Sequence, residues 1–224
     1  MSSCPNTGPR AAAVADEIDR RIRALPDGRT EAIRAVRREY SARLRGAPPE
    51  QVLAVAESLV ARQRWVAYEL LHDHARGIAV LDVERVERLG RGIDDWTAVD
   101  PFGRYVSGPA WREGRIPDGA VLRWAESGDR SWRRAALVST VPLNLRSAGG
   151  KGDAERTLAV CRRLAADRDD TVVKALSWAL RELVPWDPEA VRAFLSAHDG
   201  ELPARVKREV GNKLATGLKN PRAA

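Results

Sequence analysis

The chain has 224 residues, 38 Lys and Arg against 31 Asp and Glu, a net charge of +7, and 44 % apolar residues. That balance excludes a disordered chain and leaves ample apolar surface for a core in one or two domains. No run of about 18 apolar residues occurs, so no membrane-spanning helix is expected.

The cations are biased: 33 are Arg and 5 are Lys, and 7 of the 12 aromatics are Trp. Arg forks onto phosphates and Trp offers a broad π face, a pairing suited to polyanions or bases. A GC-biased coding sequence would also raise the Arg count, but it leaves seven Trp unexplained. Residues 1–10 lack a charged region followed by an apolar core, so no secretory leader is expected. Cys4 and Cys161 cannot make a disulfide framework and suit a reducing, cytoplasmic setting. His72 and His74 point apart on a helix and His198 stands alone, so no metal site and no cofactor is expected.

Apolar residues recur at three and four spacings almost throughout. The spacing predicts helices over Arg10–Ala24, Thr30–Arg45, Pro49–Ala61, Gln63–Arg76, Asp82–Leu89, Asp95–Ser107, Asp118–Glu126 and Ser131–Leu143. It continues with Ala154–Ala166, Thr171–Val184, Pro188–His198 and Pro203–Thr216. Short Gly- and Pro-bearing links separate them. The glycine-rich stretch Ala148–Asp153 lacks the Gly-x4-Gly-Lys-Ser/Thr spacing of a phosphate loop and reads as a flexible connector. The organisation expected is a loose N-terminus over residues 1–10, one repeat domain over 11–216, and a basic tail over 217–224.

An internal repeat supports a stack of helical hairpins. Asp129-x-x-Trp132-Arg133-Arg134-Ala135-Ala136 aligns, 40 residues on, with Asp169-x-x-Val172-Val173-Lys174-Ala175-Leu176. A period near 40 is that of HEAT-like repeats. Aligned positions in such a stack share a surface, so Arg134 and Lys174 are expected on one face.

Within Thr171–Val184 the apolar residues Val172, Val173, Leu176, Ala179, Leu180 and Leu183 fall in one arc. Trp178 falls opposite that arc, with Lys174 four residues before it and Arg181 three after. Either a neighbouring element or Lys174 covers this Trp, or it is an exposed plate in a cationic surface fit for sugar, base and phosphate contact. Earlier, Trp96 and Asp100 sit four apart and share a helical face. Pro101 disfavours an α conformation at Asp100, and a nearby Arg is an alternative partner for that carboxylate.

Three segments carry a family resemblance: Trp96-Thr-Ala-Val-Asp100, Ser131-Trp-Arg-Arg-Ala-Ala136 and Lys174-Ala-Leu-Ser-Trp-Ala-Leu-Arg-Glu182. In this order they resemble the bacterial AlkD-type alkylpurine DNA glycosylases, with Tyr68-Glu-Leu-Leu71 similar to an earlier family helix. The resemblance implies an all-α, HEAT-like superhelix with a basic concave face. It implies Asp100 as the catalytic carboxylate and Trp96 and Trp178 as aromatics around the deoxyribose. It implies Arg134 as the cation on the adjacent phosphate, with Arg181 as a further phosphate contact. The substrate implied is duplex DNA carrying cationic N3- or N7-alkylated purines, hydrolysed without base flipping, metal or cofactor, by a monomer located with the bacterial nucleoid.

Lys174 and Arg133 belong to the expected DNA-binding track; Arg205, Lys207, Arg208, Lys213, Lys219 and Arg222 extend it, or else form only a solvated helix face and a frayed tail. The chain departs from the family at Pro101 and at Leu25–Thr30, where a Tyr-Gly-Val-like element is usual. Two other functions fit the same elements: a non-catalytic protein recognising distorted or branched DNA, and a helical-repeat scaffold for an acidic protein.

Overall fold

The structure is a computed structural model that describes residues 7–221, with side chains from residue 10. Cys4 and Arg222 lie outside the described residues. Helix follows helix among the described residues, and the all-α helical-repeat architecture expected from the periodicity is present. No helix there is long and apolar enough to cross a membrane. Where the sequence suggests one repeat domain over 11–216, the packing separates two compact units, Met1–Arg91 and Gly92–Ala224.

In the first unit, α1 (Thr7–Arg23) lies against α2 (Thr30–Leu44) and α3 (Pro49–Leu59), and α4 (Arg64–Asp73) against α2 and α3. Helix α1 begins at Thr7, so the helix reaches into the stretch expected to be loose. α5 (Val83–Leu89) closes the unit, its carbonyl at Leu89 accepting from the buried Tyr68 hydroxyl at 2.8 Å. Ile18, Val36, Val52, Leu59, Leu70 and Leu71 are buried between these helices. The Tyr68-Glu-Leu-Leu71 segment lies in α4, where Glu69 is buried against Arg34 and Arg37. Burial pushes the Glu69 carboxyl up, against the pull of the two guanidinium groups.

In the second unit, α6 (Trp96–Phe102) runs through a π-helical turn, Gly103–Ser107, into α7 (Gly108–Arg112). The periodicity places one helix over Asp95–Ser107 and misses α7, because Gly108-Pro109 reads as a break. Pro109 instead occupies the first turn of α7, where a missing N–H costs little. Pro101 does not expel Asp100 from the helix. It deletes the bond to the Thr97 carbonyl, and the chain widens into the π turn just beyond it.

Next come α8 (Asp118–Ala125), α9 (Arg130–Ser139), α10 (Val141–Asn144), α11 (Ala154–Arg163), α12 (Asp170–Leu183), α13 (Pro188–Ala197) and α14 (Ala204–Thr216). The single helix expected over Ser131–Leu143 breaks at Thr140, because Pro142 has no N–H for the Val138 carbonyl. α9 is central: it packs on α6, α8 and α12, and α12 packs on α14. Trp124 and Trp132 meet Phe102 in the core beside it, with ring centroids 5.3–6.2 Å apart.

The approach of the π turn to α9 needs a glycine. A Cβ at Gly103 would fall 2.5 Å from Val138 Cγ1 and 3.0 Å from its carbonyl carbon. Ser107 and Ser139 hydroxyls close the same contact at 2.7 Å. Gly103→Ala is expected to force the two elements apart and cost ~1–3 kcal/mol. Equilibrium urea unfolding measures it, and an unchanged midpoint would show that the crossing has slack.

Candidate active site

The site begins with three aspartates that start three helices. Asp95 accepts from the amides of Thr97 and Ala98 at 2.7 and 3.1 Å, opening α6. Asp129 accepts from Ser131 N at 2.8 Å, opening α9. Asp169 accepts from Thr171 N and Val172 N at 2.9 and 3.3 Å, opening α12. Each carboxylate satisfies amides that the first turn leaves without intrahelical partners. The Thr171 hydroxyl and then these amides hold the Asp169 carboxyl below the ordinary carboxylate range.

The three helix starts meet at one recess of about 230 Å³. It is lined by Asp94, Asp95, Trp96 and Val99 from α6 and the turn before it. Arg130, Ser131 and Arg134 of α9 and Thr171 of α12 complete it. Trp96 is 64 % exposed, the most exposed large apolar side chain among the described residues. An apolar plate of that size left in water at a recess is a contact surface rather than a packing element.

Arg134, which lines the recess with Trp96, forms a closed pair with Asp100. Arg134 donates from Nε to Asp100 Oδ1 and from Nη2 to Oδ2, both at 2.8 Å, and from Nη1 to the Thr171 carbonyl. The side chains are 9 % and 18 % exposed. All three guanidinium nitrogens are therefore committed within the fold. The nearby-Arg alternative for Asp100 describes this geometry, and the carboxylate still sits on the Trp96 face of α6, four residues on.

The structure brings Trp96, Asp100 and Arg134 together. Trp178 does not line the recess. It lies on α12 seven residues after Thr171, about 10.5 Å along the same helix face. It is half-buried and donates its indole N–H to Glu182 at 3.0 Å. Arg134 and Lys174, which the repeat aligns, differ in burial and partners. Arg134 is enclosed by α6 and α12, whereas Lys174 is exposed and pairs with Asp170 at 2.6 Å. Arg181 is half-buried on Ser177, and burial pushes its guanidinium down from its ordinary range.

The other expected DNA-binding cations are placed as follows. Arg133 is held by Asp167 at 2.7 Å and by the carbonyls of Ser127 and Gly128. Lys207 pairs with Asp199 and Lys213 caps the Gly217 carbonyl, while Arg208 is exposed. Sequence reasoning missed Arg130, Asp94 and Thr171 in the recess. Arg130 carries a signal in hindsight: it precedes Arg134 by four residues and so shares its face.

A larger recess, about 460 Å³, lies at the glycine-rich stretch, beside Arg112, Lys151 and Arg156. Its loop amides are already spent: Gly150 N donates to Leu145 O, and Lys151 N and Gly152 N donate to Leu143 O. Arg112 and Arg156 in turn hold the carbonyls of Ala148 and Trp111. That recess is a braced connector, with Trp186 packed close against Gly152. The Cys161 thiol is buried, and burial pushes it up and out of reactive range. No group of three or more metal-ligating side chains gathers among the described residues.

A helical-repeat protein with an exposed indole over an acid–base pair is the class that fold and site define. The DNA alkylation repair enzyme family matches residues 28–214, most of the chain, and the chain belongs to that family. Its role is therefore in DNA repair, with DNA as the substrate. No curated protein and no solved structure matches the chain.

The cap at α12 is testable by itself. Asp169→Ala is expected to cost ~1 kcal/mol at neutral pH. The folded carboxyl titrates below its ordinary 3.8, so the stability it lends is present above that pH. It is lost as pH falls through the lower folded value. Urea midpoints of the two proteins should therefore converge in acid, and a gap that persists there would exclude a charged cap.

Proposed function

We propose that the chain is a DNA glycosylase for cationic N3- and N7-alkylated purines, with Asp100 as its catalytic carboxylate. The observation that carries this reading is Trp96, exposed at a recess that it lines together with Arg134, the residue that holds the Asp100 carboxylate. An alkylated purine that is already cationic needs no general acid to leave. The C1′–N bond breaks with its electron pair going to the purine, which becomes neutral. Positive charge builds on the sugar, as in glycoside hydrolysis.

Asp100 stabilises that charge, and its oxygens retain lone pairs beyond those that Arg134 uses. The water that adds to C1′ gives one proton to the carboxylate and from there to solvent. Trp96 lays its π face against the sugar, and Trp178 borders the approach along α12. Lys174, Arg181, Arg133, Lys207, Arg208 and Lys213 give the HEAT-like surface its affinity for the duplex backbone, an affinity that falls with salt.

One observation favours a second reading, DNA binding without base release: both Asp100 oxygens are already engaged by Arg134. Release of 7-methylguanine and 3-methyladenine from methylated duplex DNA decides between them. Wild type is expected to release both, and Asp100→Asn to lose at least about 100-fold in rate. Trp96→Ala is expected to lose roughly 2- to 30-fold, the range of one cation–π contact. Circular dichroism checks that each variant is folded. No release by wild type at low salt and high enzyme concentration would leave the binding reading standing alone.

A further inference from the structure

We infer that Asp94 is a specificity-determining residue of the recess: its carboxylate makes the recess prefer a positively charged nucleotide to a neutral one of the same shape. The inference rests on the reading that the recess receives a nucleotide of duplex DNA. It starts from the state of each charge that lines the recess. Asp95 is committed to the first turn of α6, where it accepts from two amides and from the Thr97 hydroxyl. Arg134 answers Asp100 at 2.8 Å, and Arg130 faces Asp169 at 3.8 Å. Of these charged side chains, Asp94 is the one with neither a hydrogen bond nor an ion pair among the described residues.

The backbone at Asp94 is fixed even though its side chain is unpaired. Ile93 before it is buried, and Asp95 after it is the cap of α6. Asp94 itself is exposed and stands two residues before Trp96, at the same recess. The start of α6 does not need it, because Asp95 already serves the first-turn amides. Asp94 therefore leaves a charge at the recess that the fold does not use.

A free carboxylate lowers affinity for any duplex, because it repels the backbone phosphates. It gains a use where the nucleotide at the recess carries positive charge. Contact with DNA excludes water, which strengthens every charge interaction at the recess. A neutral occupant would cover the carboxylate and leave it unpaired, at a cost in affinity. A cationic purine, or a sugar taking up positive charge, pairs with it. The gap between those two outcomes is the specificity. Asp100 acts at contact, since Arg134 offsets its charge farther out, whereas Asp94 has no such offset. The exposed π face of Trp96 favours a cation in the same place.

The test compares two duplexes that differ by one charge. One carries a pyrrolidine abasic analogue, whose ring nitrogen is protonated at neutral pH, and the other carries neutral tetrahydrofuran at the same position. Wild type is expected to bind the pyrrolidine duplex at least about ten-fold more tightly, and Asp94→Asn to bring that ratio down at least about five-fold. Affinity of Asp94→Asn for the tetrahydrofuran duplex is expected to hold or to rise by up to about three-fold, as repulsion from the phosphates is removed. Binding of that neutral duplex also shows that the variant is folded. Glu155→Gln removes an exposed carboxylate from α11, away from the residues that line the recess. It is expected to keep the ratio within about two-fold of wild type.

A wild-type ratio near one, an unchanged ratio in Asp94→Asn, an equal fall in Glu155→Gln, or no binding of either duplex overturns the inference. Binding here requires no base release. A ratio that depends on Asp94 in a protein that releases no base would keep the inference and discard the glycosylase reading. Base release with a ratio indifferent to Asp94 would do the reverse.

Discussion

The second unit is organised around a guanidinium that water barely reaches. Taking a charge out of water is costly unless an opposite charge and enough acceptors come with it. Arg134 is matched on every nitrogen, by the two oxygens of Asp100 from α6 and by the Thr171 carbonyl from α12. One side chain thereby ties three helices to one another. Displacing α6 would strand a charge and displacing α12 would cost the guanidinium an acceptor, so both helices have little freedom to slide on α9. The glycine at 103 serves the same geometry, since it lets the chain after α6 press onto Val138 and keeps Asp100 within reach of Arg134.

This constraint shapes the electrostatics of the recess. Three helix N-termini converge there, and their exposed amides would by themselves attract anions. Each is capped by an aspartate, Asp95, Asp129 and Asp169, which answers that field locally. Asp94 and Asp100 add two more carboxylates nearby, against Arg134 below and Arg130 at the rim. The interior is thus poised for positive charge, and the rim for negative charge. A cationic base and a sugar acquiring positive charge suit the first, and a backbone phosphate suits the second.

Much of this was legible in the sequence, and what was not has physical causes. Helix spans followed from three- and four-residue spacing, and the correspondence of Asp129 with Asp169 from the repeat. The Trp96–Asp100 spacing correctly placed both on one face, because that relation lies within a single helix. Burial depends on neighbouring helices, and the repeat does not carry it. Arg134 and Lys174 occupy matching positions, but α9 has α6 in front of it and Asp100 to meet it. Lys174 pairs with Asp170 of its own helix. From sequence alone, Pro101 disfavours an α conformation at Asp100. The helix absorbs it by widening into a π turn, a response that depends on the packing of Gly103 and Ser107 against α9.

The identity of the cation at each copy follows from these environments. Arg is planar, carries five donors, and is more weakly hydrated than an ammonium, so it can be buried if each edge of the fork finds an acceptor. Position 134 offers acceptors on two neighbouring helices. Lys is a compact, strongly hydrated charge on a flexible stem and is best left where water reaches it. Position 174 is such a place, exposed and one turn from a surface carboxylate. Two aligned cations therefore do different work. One is structural glue that also holds a carboxylate ready beside Trp96, and the other is an open surface charge. An Arg-rich composition does not by itself measure affinity for polyanions, because part of that charge is consumed in building the site. What the composition offers to a backbone is the set of donors that the fold leaves unused, and that set is smaller than the count of Arg.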